Sequence, residues 1–143
     1  MTDADDQFQM WLMDMDEAIE RFRHSVSEDV ATALDFTPES LKTLESIVLA
    51  KYSCVDEIKR PSEAEPVDGM ARYVGEVFRK KLGGKWMIDH SDQKNAFYGL
   101  PQLVEMNGQR TQICPLTLVT ASTDRRTGSF IRTVFNSSAK DAV

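Results

Sequence analysis

Transition-metal and nucleophile chemistry is thinly provided for in this chain: 143 residues hold two cysteines and two histidines. Cys54 and Cys114 are far apart and form no CxxC pair. Neither a disulfide framework nor a thiolate metal site follows from that spacing, and the expectation is two reduced, partly buried thiols. The chain has no GxSxG turn, no GxxxxGK[ST] loop and no GxGxxG turn. That removes the strained serine elbow and the usual phosphate cradles. No apolar run approaches the roughly 18 residues of a spanning helix, so no membrane partner is expected. The acidic start, Met1 to Asp6, lacks the basic and apolar segments of a secretory signal, which points to a cytoplasmic protein. Internal repeats and low-complexity tracts are missing as well.

Basic charge is the next scarcity. Lys and Arg total 17 against 23 Asp and Glu, a net charge of −6. A general nucleic-acid binder needs a basic face, so no nucleic-acid partner is expected. The imbalance is local. Residues 1–36 carry ten acidic and two basic side chains, a net of −8, whereas residues 107–143 sum to +3. The acidic pole either lies on the basic C-terminal part or faces a basic partner.

What is present reads as one α+β domain over residues 1–143, with a possible flexible loop at 54–66 around Pro61 and Pro66. A chain of this size buries enough surface to fold without disulfide or metal. Phe8, Trp11, Leu12, Met15, Ile19 and Phe22 recur at helical spacing and predict a first helix. Met10 and Met13 fall on its opposite face, as half-exposed filler or a contact surface. Thr37-Pro38-Glu39-Ser40 reads as the start of a second helix running to about Tyr52. The segment between Ser25 and Phe36 has room for a short helix. A third helix runs from about Val67 to Leu82. It has two adjacent apolar faces, one with Met70, Tyr73, Val74 and Val77, the other with Ala71, Gly75, Phe78 and Leu82. Gly83-Gly84 stops it.

The period then shortens to about two. Trp86-Met87-Ile88 and Ala96-Phe97-Tyr98 read as strands. Leu103–Met106, Asn107-Gly108 and Gln109–Cys114 read as a hairpin whose turn needs positive φ. Pro115 opens either a short helix or a Thr-rich strand, and Ser129 caps a last helix with Phe130, Ile131, Val134 and Phe135. The expected architecture is about three N-terminal helices packed on a small antiparallel sheet of three to four strands, with a C-terminal helix.

The segment Tyr73-Val74-Gly75-Glu76-Val77, followed by Gly83-Gly84-Lys85-Trp86 and later Ile113-Cys114-Pro115, resembles small bacterial domains of unknown function with a Y-x-G-E-V … G-G-x-W motif. The resemblance spans about residues 67–135. Some such proteins resemble immunity or accessory proteins of secretion systems. It supplies no catalytic residues. The residues themselves read structurally: Gly75 for close approach, Trp86 as a core filler under the third helix, and Glu76 in a ladder with Arg72 and Lys80.

Candidate chemistry is sparse. Asp89-His90-Ser91-Asp92 places a histidine between carboxylates, a possible metal or acid–base group, but the spacing matches no metal motif and suits a turn. Arg125, Arg126, Arg132 and Arg110 form a basic patch that suits a phosphate, an acidic partner or plain solvent. No catalytic residue, cofactor or metal is expected. The leading expectation is a non-catalytic protein-binding module, immunity-like or accessory, with Asp14, Asp16, Glu17 and Glu20 as its acidic face. One alternative is a small enzyme or ligand-binding protein with a pocket near Tyr73, Glu76 and His90, and Trp86 is a further candidate binding residue. Another is a structural homodimer.

Overall fold

A computed structural model of the chain describes residues 3–108 and 112–140. Its elements in order are α1 (Asp3–Met13), α2 (Met15–His24), α3 (Glu28–Ala33), α4 (Ser40–Lys51), α5 (Val55–Ile58), a 3₁₀ turn (Pro61–Glu63), α6 (Ala64–Leu82), β1 (Lys85–Met87), β2 (Gln102–Val104), a second 3₁₀ turn (Met106–Gly108), β3 (Gln112–Ile113), α7 (Pro115–Arg125) and α8 (Phe130–Lys140). The fold is mixed helix plus a small three-stranded antiparallel sheet in the order β1-β2-β3, and it ends in a helix. More helices precede the sheet than the three expected. The apolar stripe from Phe8 to Phe22 is shared by two helices, because the chain bends at Asp14 (φ −87°, ψ 5°). The 54–66 segment is also folded. It holds α5, a 3₁₀ turn and the first turn of α6, anchored by buried Ile58 and by the Tyr52 hydroxyl on the Glu63 carboxylate at 2.6 Å.

Helix α6 is the centre of the molecule. Ten consecutive residues, Gly69 to Phe78, are buried. Its two apolar faces are covered from two sides, by α2 and by α7. The helix starts three residues earlier than the periodicity suggests. Pro66 sits in its first turn, where the missing N–H would have no intrahelical partner anyway. Arg79, Lys80 and Lys81 occupy the last turn, at the negative end of the helix dipole. Tyr73, Val74, Val77 and Phe78 are fully buried. Each such side chain contributes about 1.5–3 kcal/mol, far more than any one of the exposed ion pairs.

Beyond α6 the chain reverses through Gly83 and Gly84. At Gly84 (φ 98°) a Cβ would lie 2.7 Å from the Val104 carbonyl oxygen, so the turn into β1 requires glycine. In the sheet Trp86 pairs with Leu103, and Leu103 with Ile113. The expected hairpin pairing is therefore present. Asn107 (φ 55°) and Gly108 (φ 71°) both take positive φ, inside a longer connection whose residues 109–111 lie outside the described residues. The Ala96–Tyr98 segment is not a strand. Residues 89–99 form turns, closed where the Gly99 N–H meets the Asp89 carbonyl at 2.8 Å. The Thr-rich segment after Pro115 is helix α7, with proline in its first turn.

Candidate functional site

Two tryptophans from distant parts of the sequence meet on one side of α6. Trp11 comes from α1 and Trp86 from β1, and their rings are perpendicular, with centroids 5.0 Å apart. Each indole is fixed in the same way. The Trp11 N–H donates to Asp68 Oδ1 at 2.8 Å, and Arg72 clamps the other oxygen of that carboxylate through Nε at 2.6 Å. The Trp86 N–H donates to Glu76 Oε2 at 3.0 Å, and Arg79 holds both oxygens of Glu76, at 2.6 and 3.0 Å. Asp68, Arg72, Glu76 and Arg79 lie along successive turns of α6, so one helix carries both clamps.

Arg72 does more than hold Asp68. Its guanidinium lies over the Trp11 ring, 4.2 Å from the centroid, and Nη1 donates to the Trp11 carbonyl at 2.7 Å. Such a cation–π contact on a nearly buried arginine is worth about 1–2 kcal/mol. Trp86 lies flush on α6 because residue 75 has no side chain. A Cβ there would come 2.0 Å from Trp86 Cη2 and 3.1 Å from Pro115 Cγ.

These contacts border a groove of about 510 Å³. Its floor and walls are apolar: Trp11, Trp86, Ala71, Pro101, Pro115 and Leu116. Lys59 and Arg60, both exposed, also line it, in the segment that leaves α5. The size lies within the range of sites that hold small organic ligands, and an apolar lining with few polar groups is their usual composition.

The residues expected at a site are dispersed. Trp86 lines the groove; Tyr73, Glu76 and His90 do not. Tyr73 is fully buried, and its hydroxyl meets Ser40 Oγ at 2.7 Å and accepts the Phe36 N–H at 2.9 Å, which ties α6 to the α3–α4 connection. Glu76 is buried as well. Burial raises the pKa of its carboxyl, but the hydrogen bonds from Arg79 and Trp86 and the nearby positive charge outweigh it, and the net shift is downward. Its partners are thus Arg79 and Trp86 rather than Arg72 and Lys80.

His90 is exposed in the 89–99 turns, edge-on to Tyr98 with ring centroids 6.4 Å apart. The neighbouring Asp89 carboxylate accepts from Ser91 N, Ser91 Oγ, Asp92 N and Asn95 Nδ2. Those bonds, the Ser91 ones foremost, pull its pKa down to about 2 and mark it as the organiser of a turn. Among the described residues no three His, Cys, Asp or Glu side chains come together as a metal site.

The acidic face is partly engaged within its own helix. Asp14 pairs with Arg21 at 2.7 Å and Glu20 with Arg23 at 2.8 Å, while Asp16 and Glu17 are exposed. Met10 and Met13 are more exposed than filler, at 68% and 85%. Cys54 is exposed and Cys114 buried. In the basic patch, Arg126 donates to the Tyr52 and Leu49 carbonyls at the end of α4, Arg132 approaches Glu39 at 3.5 Å, and Arg125 stacks on Phe130. Arg110 lies outside the described residues.

Sequence spacing alone misses Trp11 as a site residue. It sits in the apolar stripe of the first helix, and its partner Asp68 is 57 positions away. Comparison of the chain with protein-family models, with curated proteins and with solved structures finds no match to any of them.

Proposed function

We propose that this chain is a non-catalytic binding module and that the tryptophan groove is its recognition site. The observation that carries the reading is the fate of the polar side chains around the groove. Apart from the exposed cations Lys59 and Arg60, the polar side chains there have partners within the protein: both indole N–H groups, both oxygens of Asp68, and the Thr120 hydroxyl, which donates to the Leu116 carbonyl at 2.9 Å. A general acid, base or nucleophile needs a free lone pair or proton within reach of substrate. A recognition surface needs a rigid apolar shape, and two clamped indoles supply one. An immunity-like or accessory role, as the Y-x-G-E-V resemblance implies, is one use of such a module.

The test is a two-dimensional NMR titration of the parent and of Ala64→Phe. Ala64 is exposed at the groove edge, so a phenyl ring there fills the groove without disturbing the core. Small apolar probes should shift the Trp11 and Trp86 indole N–H resonances of the parent and leave those of Ala64→Phe in place. Probes that move only resonances elsewhere on the chain would refute the assignment.

A further inference from the structure

Once the spent groups are set aside, two polar side chains at the groove remain uncommitted: Lys59 and Arg60. Neither makes an ion pair among the described residues, a state shared with Lys42, Lys80, Lys81, Lys94, Arg125 and Arg126, none of which lines the groove. Arg60 also borders a second recess with Glu57 and Glu63, but those carboxylates are held by the Ser53 N–H at 2.6 Å and the Tyr52 hydroxyl at 2.6 Å. Both cations are exposed, so they are hydrated and able to meet an incoming charge. The groove therefore combines an apolar lining, with Trp11 and Trp86 in it, and two exposed cations. The chain as a whole carries −6 and repels anions at long range, so any preference for an anion arises at contact distance, from these two side chains.

We infer that the ligand class of the groove is a small amphipathic carboxylate, with its apolar body against Trp11 and Trp86 and its carboxylate at Lys59 and Arg60. This rests on the reading of the groove as a recognition site and adds the chemistry of what it takes. Lys and Arg are suited to the task, since charge-assisted hydrogen bonds to a carboxylate are the stronger kind. A neutral ligand of the same shape would fill the recess and forgo that contact. A cationic one would meet two like charges.

The experiment is a titration of the full chain with decanoate, decanol and decylammonium, at fixed ionic strength and below aggregation, read by intrinsic fluorescence. Both tryptophans of the chain line the groove, so the signal is local to it. Decanoate should bind about tenfold or more tightly than decanol, and decylammonium more weakly than either. The double variant Lys59→Gln, Arg60→Gln should bring decanoate to the level of decanol and leave decanol unchanged. Both positions are exposed, and a urea titration confirms that the variant is folded. Equal binding of decanoate and decanol by the parent, or an unaltered preference in the double variant, would overturn the carboxylate assignment while leaving the groove as a recognition site. No response to any of the three probes would overturn both.

Discussion

The carboxylate of Glu45 caps a helix 85 residues further along the chain: it accepts the backbone N–H of Phe130 at 3.2 Å and of Ile131 at 2.9 Å. Glu45 projects from α4 and is fully buried. Its negative charge lies at the positive end of α8, where the first N–H groups lack intrahelical acceptors. One side chain thus orients α8 against α4 and satisfies two donors that would otherwise be buried unpaired.

Glu45→Ala should be among the more destabilising single changes in the chain. It removes a cap and strands two N–H groups, for a cost of about 3 kcal/mol. Glu45→Gln keeps one acceptor oxygen and should cost roughly half as much. Urea unfolding followed by circular dichroism measures both. A loss under about 0.5 kcal/mol for the alanine variant, the level of an ordinary surface change, would show that α8 does not depend on this cap.

Gly75→Ala opposes two effects of known size. In an open helix the change stabilises by up to about 1 kcal/mol. Here the added carbon would lie 2.0 Å from an indole ring atom, and overpacking of that kind costs about 1–3 kcal/mol. The steric effect wins, so the variant should be less stable and should show altered tryptophan fluorescence as Trp86 is displaced. A variant with higher stability and an unchanged spectrum would contradict the close approach of α6 and β1.

Glu76 makes stability depend on acid. Its carboxyl binds a proton less readily in the folded chain than at the ordinary value of 4.5, because the Arg79 and Trp86 hydrogen bonds outweigh the opposing effect of burial. The unfolded chain takes up the proton first as the pH falls. The contribution of Glu76 is therefore complete above about pH 4.5 and is lost as the pH drops through the lower folded value. Urea midpoints measured from pH 6 to pH 3 should fall less steeply for Glu76→Gln than for the parent. Parallel curves would exclude a depressed Glu76.

Gln102 is the opposite case, a buried polar side chain with nothing to hold. It is fully buried in β2, and neither its amide nitrogen nor its oxygen has a hydrogen-bond partner among the described residues. An unsatisfied buried polar group costs about 1–3 kcal/mol. Gln102→Met, close in shape and without those polar atoms, should raise the melting temperature by roughly 2–8 °C. A fall in melting temperature would mean that the amide is engaged after all.

Much of the fold is legible in residue order, and the exceptions share a cause. The two apolar faces of α6 and its Gly83-Gly84 stop can be read directly, because burial on two sides and a left-handed turn each leave a local mark. The Leu103–Ile113 pairing is legible for the same reason. The break at Asp14 is not, since no proline or glycine announces it. It arises where Trp11 is drawn to Asp68 and Arg72 while Ile19 and Phe22 lie in the core beside α6. Helical spacing offers Glu76 three basic neighbours, Arg72, Arg79 and Lys80. Asp68, one turn earlier on α6, takes Arg72, and Glu76 pairs with Arg79 while accepting from Trp86, the one partner of the set that lies outside the helix. Likewise the cap on α8 comes from Glu45 and not from the adjacent Ser129 side chain. The candidate site is the least legible part. It is built from α1, α6, β1, α7 and the segment between α5 and α6, which meet only in three dimensions.

Most helices of small proteins keep one wet face, and that face absorbs neutral mutations. Helix α6 has none between Gly69 and Phe78. Even its charged residues there, Arg72 and Glu76, are buried in clamps that set the two indoles. In a library covering every single substitution, these ten positions should form an almost unbroken intolerant block. The polar ones should tolerate change as poorly as the apolar ones, and loss of fold and loss of groove should appear together.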